Sequence, residues 1–504
     1  MHMHVCLAAV LDPATMPEPY SFKRMRSHIV SRVPIIPPFR RVLHPTPYQV
    51  HHPVWVDDEH FDIERHVHRV KLGTKKRAAD LHAFGHLAGA IASVPLDRSR
   101  PLWDLSIVEG LEDGLLGLVV KVHHSAMDGT AGLEILYSLF DLEPDPSPDS
   151  QAATDPPGVG SAPSDRELLS VSAQERFRTT VGVGELVRRT GEAVTAIARR
   201  RSNEVGPSGG TPLTAPSTPF NGAIDPSREL AFARVPLADV KAVKAAFDVT
   251  VNDVVLALCA RTIRRYLQRH DALPESSLLA SCPVSVRTER ETGEFNNRVS
   301  VMFTRLPTEL DDPLDCLRVS SASASAAKTD QRELGPSLLG DWAELADPRS
   351  LSFATDLITR FRLGDRMPAV HNLVISNLAG PTFPVYLGGA RLEQAYPMGP
   401  VLEGAGLNIT VLSYRDTVDI GFIAAPNLVP DLWELADDVE PAFAELVALI
   451  CGRPPGIPAA PPVLTGRQRS VEHDFAIVFY LAPWPTTSPI SSSTPPMSSP
   501  RRRR

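Results

Sequence analysis

Residues 115–129 read LLGLVVKVHHSAMDG. The segment 115–122 is a short apolar run rich in β-branched residues, which predicts a buried strand. Two adjacent histidines and a turn follow, and apolar residues within 130–140 then recur at helical spacing. A strand that runs into the start of a helix is a common position for an active site in α/β folds. This segment therefore predicts both a fold class and a site.

The two histidines, His123 and His124, are candidates for proton transfer. An imidazole has a pKa suited to taking a proton from a hydroxyl group near neutral pH. Because successive side chains of a strand point to opposite faces, only one of the two can face a given cleft, and the other must pack or bond elsewhere. Asp128 follows across a tight turn and can orient an imidazole or hold the loop, while Gly129 permits backbone geometry that a bulkier residue resists.

Two other interpretations of this segment stay open. In the first, both histidines are buried in a hydrogen-bonded turn and Asp128 is the N-cap of the following helix. In the second, they bind a metal ion, which commonly needs three or four converging ligands. Adjacent strand residues diverge, and the other histidine pair, His51 and His52, lies in a proline-flanked loop. We therefore predict no metal site.

Composition excludes several classes of protein. The 504 residues include 51 Lys and Arg against 59 Asp and Glu, a net charge of −8, which argues against a nucleic-acid partner. The five cysteines never form a CxxC pair and fit neither a disulfide scaffold nor a cysteine-rich zinc site. The longest apolar runs, 114–120 and 476–481, are strand-length, so we predict no transmembrane span. The first residues lack the pattern of a signal peptide, so we expect a cytoplasmic protein, either free or peripheral at the inner membrane or at lipid inclusions.

The 48 prolines indicate how the chain is divided. They cluster at 144–163, 206–219 and 454–462, in segments of low hydrophobicity that cannot bury enough surface to fold. Between the first two clusters, residues 166–201 have a loosely helical spacing, which predicts a helix or a helical pair bridging two globular halves. The predicted divisions are an N-terminal lobe at 1–143, linkers flanking the helical insert at 144–219, a C-terminal lobe at 220–453 and a disordered, low-complexity tail at 454–504.

The C-terminal half alternates helix and strand patterns. Residues 250–267 have the clearest helical pattern, with Asn252 and Asp253 at its head, where short polar side chains cap free N–H groups. Strand-like runs follow at 278–286, 298–305, 371–376, 406–414 and 418–423. Strands interleaved with helices in both halves predict an α/β or α+β protein.

The segment HHSAMDG matches the HHxxxDG signature of the CoA-dependent acyltransferase superfamily, which includes chloramphenicol acetyltransferases and the condensation domains of peptide synthetases. Further motifs occur in order along the chain: RPLW at 100–103, TVNDVV at 250–255, PVSVR at 283–287, NNR at 296–298 and SNLAGP at 376–381. Together they resemble the bacterial wax ester synthase/diacylglycerol O-acyltransferase family, especially its actinobacterial members. The resemblance covers approximately residues 2–452.

The resemblance implies two chloramphenicol-acetyltransferase-like lobes with an active-site tunnel between them, joined by a helical crossover linker. It also implies an acyl-CoA-dependent O-acyltransferase that esterifies diacylglycerol or long-chain alcohols with no covalent acyl-enzyme. The partners are then acyl-CoA, as co-substrate, and the lipid alcohol; no cofactor is expected. Because water is a competing nucleophile, we expect the tunnel to be apolar and to join the site to a membrane or lipid surface.

The resemblance assigns roles to the motif residues. His124 is the implied general base that deprotonates the alcohol, with His123 beside it. Asp128 and Gly129 are implied to hold the loop of the motif rather than to touch substrate, and Arg287 is the implied ion partner of Asp128.

Two further groups of residues are implied to support the site. Asn252 and Asp253 match the ND motif of the family, although a helix N-cap explains them equally well. Ser376, Asn377 and the backbone of Gly380 are implied donors to the thioester oxyanion, a role that an ordinary Gly380–Pro381 turn leaves open. Trp103 of the RPLW motif is expected to pack in the core.

The chain departs from the family pattern at both ends. Relatives usually carry a further N-terminal stretch, so an early strand or helix is expected to be missing here, and the tail differs from the compact ending of the family. Two other functions stay open from the sequence. One is a condensation-type acyltransferase acting on carrier-bound substrates, and the other is an inactive lipid-binding paralogue.

Overall fold

The structure is a computed structural model that describes residues 3–74, 76–126, 138–145, 163–203, 209–285, 299–335 and 357–451. The strands are β1 His4–Asp12, β2 Arg41–His44, β3 Val54–Asp57, β4 Val67–Lys71, β5 Trp103–Glu109, β6 Leu116–His123, β7 Glu229–Pro236, β8 Leu278–Ser285, β9 Val299–Leu306, β10 Leu373–Ala379, β11 Tyr386–Leu387, β12 Ala390–Met398, β13 Leu407–Tyr414 and β14 Thr417–Ala424. The helices are α1 Phe22–Arg32, α2 Leu81–Ser93, α3 Asp165–Asn203, α4 Leu237–Phe247, α5 Val251–Arg269, α6 Pro313–Leu334, α7 Leu432–Asp437 and α8 Val439–Cys451.

Two six-stranded sheets organise the chain. The first has the order β11-β12-β1-β6-β5-β4, and the second has the order β7-β14-β13-β10-β8-β9. Each sheet is covered by helices, which confirms the predicted α/β architecture of two lobes. The apolar run at 115–122 forms β6, a central strand between β1 and β5 in which every residue is buried.

The division into lobes at 1–143 and 220–453 differs from the structure at one place. Strands β11 and β12 follow the C-terminal sheet strand β10 in sequence but belong to the N-terminal sheet, where β12 pairs with β1 and aligns Met398 with Cys6. Composition could not reveal this crossover, because β12 carries ordinary strand residues and the Gly380–Pro381 turn before it is typical of a connection within one sheet as well as between two.

The helical insert is a single 39-residue helix, α3, rather than a pair. Its C-terminal end is fixed to α6 by ion pairs of Arg200 and Arg201 with Asp330, the latter at 2.5 Å. Of the flanking segments that were predicted to be linkers, residues 146–162 and 204–208 lie outside the described residues, as does the tail from residue 452.

The two lobes meet where β14 crosses β12. One buried apolar cluster contains residues from both sheets, among them Val10 and Phe232, and the carbonyl oxygen of Pro397 lies only 2.4 Å from the position of a Cβ on Gly421, so only glycine fits there. The wholly buried Asp419 of β14 accepts a hydrogen bond from the Ala395 N–H of β12 at 2.8 Å. These contacts hold the sheets together at the crossover strand.

Within the described part of the chain, no helix combines the length and the apolar character that crossing a bilayer requires.

Candidate active site

The histidine pair lies at the end of β6, beside the beginning of β1. The register of the two strands aligns His123 with His4, and the His124 N–H donates to the carbonyl oxygen of Met3 at 2.7 Å. A short 3-10 helix, His124–Ala126, turns the chain away from the sheet. The start of β1 therefore fixes the backbone of the pair.

His123 is held on the α2 face of the sheet. Its Nδ1 atom accepts from the Ser125 N–H at 3.2 Å and lies 2.8 Å from the Ser125 hydroxyl. An Nδ1 atom that accepts carries no proton, so a neutral His123 bears its proton on Nε2. The His123 ring also meets the His4 ring edge-on, with the centroids 6.1 Å apart.

Strand alternation places Val122 and His123 on opposite faces of β6. Val122 packs in the core cluster of Trp103, on the face opposite His4, and His124 begins the 3-10 helix that follows the strand. His123 is thus bonded on the α2 face, and the expectation that His124 faces the substrate stays a prediction. Trp103 is buried as predicted, stacked between Phe39 and His66 at centroid distances of 4.1 and 4.6 Å.

Both imidazoles are neutral at physiological pH. Burial lowers the pKa of His124 to about 4, while a hydrogen bond involving its own backbone acts in the opposite direction. Burial also lowers the pKa of His123 to about 3, assisted by the charge of Arg98. A neutral imidazole has a lone pair that can accept a proton, so the buried state is compatible with a general base.

Three predicted site residues cannot be placed. Asp128 and Gly129 lie outside the described residues, as does Arg287. Their implied roles in the loop of the motif stay predictions.

The ND pair lies at the head of α5, as predicted, but neither residue is the N-cap. The N-cap is Thr250, whose hydroxyl accepts from the Asp253 N–H at 3.2 Å, while the Asp253 carboxylate accepts from the Thr250 N–H at 2.9 Å. Ser321 of α6 donates to the same carboxylate at 3.1 Å. Asp253 thus completes a capping box. The neighbouring Asn252 differs, because its Nδ2 atom is buried without a hydrogen-bond partner among the described residues.

Ser376 and Asn377 lie on β10 but point to opposite faces of the C-terminal sheet. Asn377 shares the face of Ile375, which packs in the α5 core. Ser376 shares the other face with Leu378, which belongs to the same buried cluster as Val122 of the N-terminal lobe. Only Ser376 of this pair faces the N-terminal lobe.

The Gly380 N–H donates to the carbonyl oxygen of Ser413 at 2.9 Å. A Cβ at Gly380 would lie 2.6 Å from that oxygen, which explains the glycine by close packing. The Gly380 N–H is therefore engaged within the sheet, and Ser376 is the stronger candidate donor.

Sequence reasoning missed a set of buried polar side chains on the same face of this sheet. In register with Val374 and Ser376 stand Ser281 of β8 and Asn408 and Thr410 of β13. The hydroxyls of Ser281 and Ser376 are buried without a hydrogen-bond partner among the described residues. In the sequence, this set is visible as small polar residues at alternate positions of otherwise apolar strands.

A buried lysine beside the histidines was also missed. Lys121 precedes His123 by two positions on the same face of β6, and its ammonium group donates to the carbonyl oxygens of Ile91 and Val94 at 3.0 and 2.8 Å. The Asp104 carboxylate lies 3.7 Å from it. Lys121 thus joins the end of α2 to the strand that carries the site.

The described residues contain no group of three or more His, Cys, Asp or Glu side chains that could hold a metal ion.

Comparison with known families places both halves of the chain. The model for the wax ester synthase/diacylglycerol acyltransferase catalytic domain matches residues 1–255, and the model for the C-terminal domain of the same family matches residues 295–447. A relative from Mycobacterium tuberculosis H37Rv, assigned by name to the diacylglycerol O-acyltransferases, is 35% identical over 457 residues, which are 90% of this chain and 88% of the relative. Another relative of that strain and assignment is 32% identical over 88% of this chain and 93% of its own length.

Solved structures agree with the fold. The wax ester synthase/diacylglycerol acyltransferase of Marinobacter aquaeolei VT8 aligns with a TM-score of 0.61 at 27% identity, over 89% of this chain and 95% of that chain. The first condensation domain of the calcium-dependent antibiotic synthetase aligns with a TM-score of 0.55 over 89% of this chain and 91% of its own, at 14% identity, and this likeness concerns the fold alone.

Proposed function

The chain belongs to the wax ester synthase/diacylglycerol acyltransferase family, and we propose that it transfers the acyl group of an acyl-CoA to the hydroxyl group of diacylglycerol or of a long-chain alcohol. The products are a triacylglycerol or a wax ester and free CoA. The observation that carries this proposal is the HHSAMDG motif at the end of β6, with His124 buried and neutral.

His124 acts as the general base. Its imidazole accepts the proton of the acceptor hydroxyl while the oxygen attacks the carbonyl carbon of the thioester. The tetrahedral intermediate collapses with cleavage of the C–S bond, and the imidazolium returns the proton to the CoA sulfur. No covalent acyl-enzyme forms, and the two substrates supply every atom, so we propose no further cofactor.

The negative charge of the intermediate needs hydrogen-bond donors. Ser376 supports this role best, because its hydroxyl is buried, has no partner among the described residues and faces the N-terminal lobe. Asp253 acts indirectly, by fixing the start of α5. For Asp128 and Arg287, which lie outside the described residues, we propose the supporting roles that the motif implies.

Product analysis tests this function. The purified chain is incubated with palmitoyl-CoA and either diacylglycerol or hexadecanol, while free CoA and the ester are measured separately. We expect ester and CoA in equal amounts with at least one acceptor, and neither product with the His124→Ala variant.

Two results would contradict the proposal. Release of CoA without ester would identify a thioesterase. Turnover of carrier-bound acyl groups in the absence of any turnover of acyl-CoA would identify a condensation-type enzyme.

A further inference from the structure

Large exposed apolar side chains are concentrated in one segment of the C-terminal lobe and in the residue bonded to its end. Leu213, Phe361 and Met367 are exposed to 62%, 59% and 55%, and Leu357 and Val370 are also exposed. Four of these residues belong to the segment 357–370, and the Leu213 N–H donates to the carbonyl oxygen of Val370 at 3.2 Å. Single exposed apolar residues are ordinary, but a group on one continuous segment marks a surface that contacts something else.

The backbone of this segment is ordered by its own hydrogen bonds. The Phe361 N–H donates to the carbonyl oxygen of Leu357 at 3.0 Å, and the Met367 N–H donates to the carbonyl oxygen of Leu363 at 2.9 Å. The Asp365 carboxylate accepts from the Ala223 N–H at 2.7 Å and so ties the segment to the lobe. The apolar side chains are therefore presented by a short, anchored segment.

The same segment is basic. Arg360, Arg362 and Arg366 are exposed between the apolar residues, and of these Arg362 pairs with Asp365 at 2.9 Å. Arg360 and Arg366 have no ion pair among the described residues. This local excess of positive charge stands on a chain whose net charge is −8.

We propose that the apolar and basic patch formed by Leu213 and residues 357–370 binds the surface of a bilayer that contains anionic phospholipids. Transfer of apolar side chains from water into the acyl region of the bilayer lowers the free energy, while arginine guanidinium groups remain at the level of the headgroup phosphates. A net negative chain needs such a patch to approach an anionic surface, because the rest of its charge opposes the contact. The inference rests on the proposed function, since diacylglycerol and long-chain alcohols reside in membranes.

Vesicle flotation tests the patch. The full chain is mixed with phosphatidylcholine vesicles with or without phosphatidylglycerol, and the double variant Phe361→Ser/Arg366→Gln is compared with Leu142→Ser/Arg318→Gln, which removes one exposed apolar and one exposed basic side chain elsewhere. We expect wild type and the control to float with anionic vesicles, and the patch variant to bind them roughly 10-fold more weakly. Thermal melts of all three proteins establish that each is folded.

An activity measurement separates this proposal from the proposed function. With hexanol as a dissolved acceptor, the patch variant should match wild type, whereas with diacylglycerol in anionic vesicles its rate should fall about as far as its binding. Equal vesicle binding by patch variant and control would overturn the proposal. A raised KM for acyl-CoA with hexanol would also overturn it, because the arginines would then hold the phosphates of CoA. Failure to acylate any acceptor would contradict the proposed function alone, since flotation still reports on the patch.

Discussion

The two sheets have the same number of strands but bury different polar groups. The N-terminal lobe buries ionisable side chains at the end of β6, namely His4, Lys121, His123 and His124. The strands β8, β10 and β13 of the C-terminal sheet bury neutral ones on the facing side, namely Ser281, Ser376, Asn408 and Thr410, and the buried Asp419 of the neighbouring strand β14 pairs with Arg234. Acyl transfer needs both a group that moves a proton and donors that stabilise an oxyanion without becoming charged. The contrast supports a division in which one lobe provides the base and the other provides the hydrogen bonds.

Removing the base from the N-terminal lobe should lower the activity most. The His124→Ala variant should lose about 10³-fold in kcat, because general-base catalysis is worth 10² to 10⁴. The measurement is steady-state CoA release with a saturating acceptor, alongside near-UV circular dichroism of the folded variant. Activity within a few fold of wild type would show that His124 of the N-terminal lobe is not the base.

Removing one hydroxyl from the C-terminal sheet should have the next largest effect. We expect Ser376→Ala to lower kcat about 10² fold, with little change in KM, since an oxyanion donor acts mainly in the transition state. Ser281→Ala is the matched control, because its hydroxyl is equally buried, equally unpartnered among the described residues and on the same face. If both variants lose activity equally, or neither does, the assignment to Ser376 is wrong.

The buried lysine should affect stability more than chemistry. Lys121→Met leaves the carbonyl oxygens of Ile91 and Val94 without their donor and removes one cation near Asp104, which should lower the free energy of unfolding by roughly 3 kcal/mol. Urea denaturation measures this change, with the exposed Lys241→Met as control. A variant as stable as wild type would show that the lysine does not join α2 to β6.

Acid should destabilise the N-terminal lobe before the C-terminal lobe. Burial lowers the pKa of His28, His66, His123 and His124 there, and of His371 in the C-terminal lobe. The unfolded chain binds protons at the ordinary pKa of 6.5, whereas the folded chain keeps these imidazoles neutral to a lower pH. The free energy of unfolding is therefore highest above about pH 6.5 and falls as the pH declines towards about 4.

Hydrogen exchange at about pH 7 and about pH 5, corrected for the intrinsic rate, should therefore show earlier opening of β6 than of β13. Equal opening of both strands would indicate that histidine protonation does not distinguish the lobes.

The sequence predicted the elements whose pattern is local. Strand β6, helix α5 and most strands of the C-terminal half were found within a few residues, because apolar periodicity and the capping residues mark them. Strands β1 and β12 were missed, and with them the crossover, because their pairing joins the two ends of the chain. At the site, the motif located His123 and His124, whereas Ser281 and Lys121 became visible only when register placed them beside other buried groups.

The crossover strand has a consequence for how the protein is made. One edge of β1 pairs with β12, so it stays open on the ribosome until residue 398 has been synthesised. Contacts of such high sequence separation form slowly, and an open apolar edge is prone to pair with other chains. The second sheet, by contrast, draws all its strands from residues 229–424. The first half of the chain to be translated thus cannot complete its sheet alone, and it depends on the second half, or on a chaperone, to protect its edge until β12 is available.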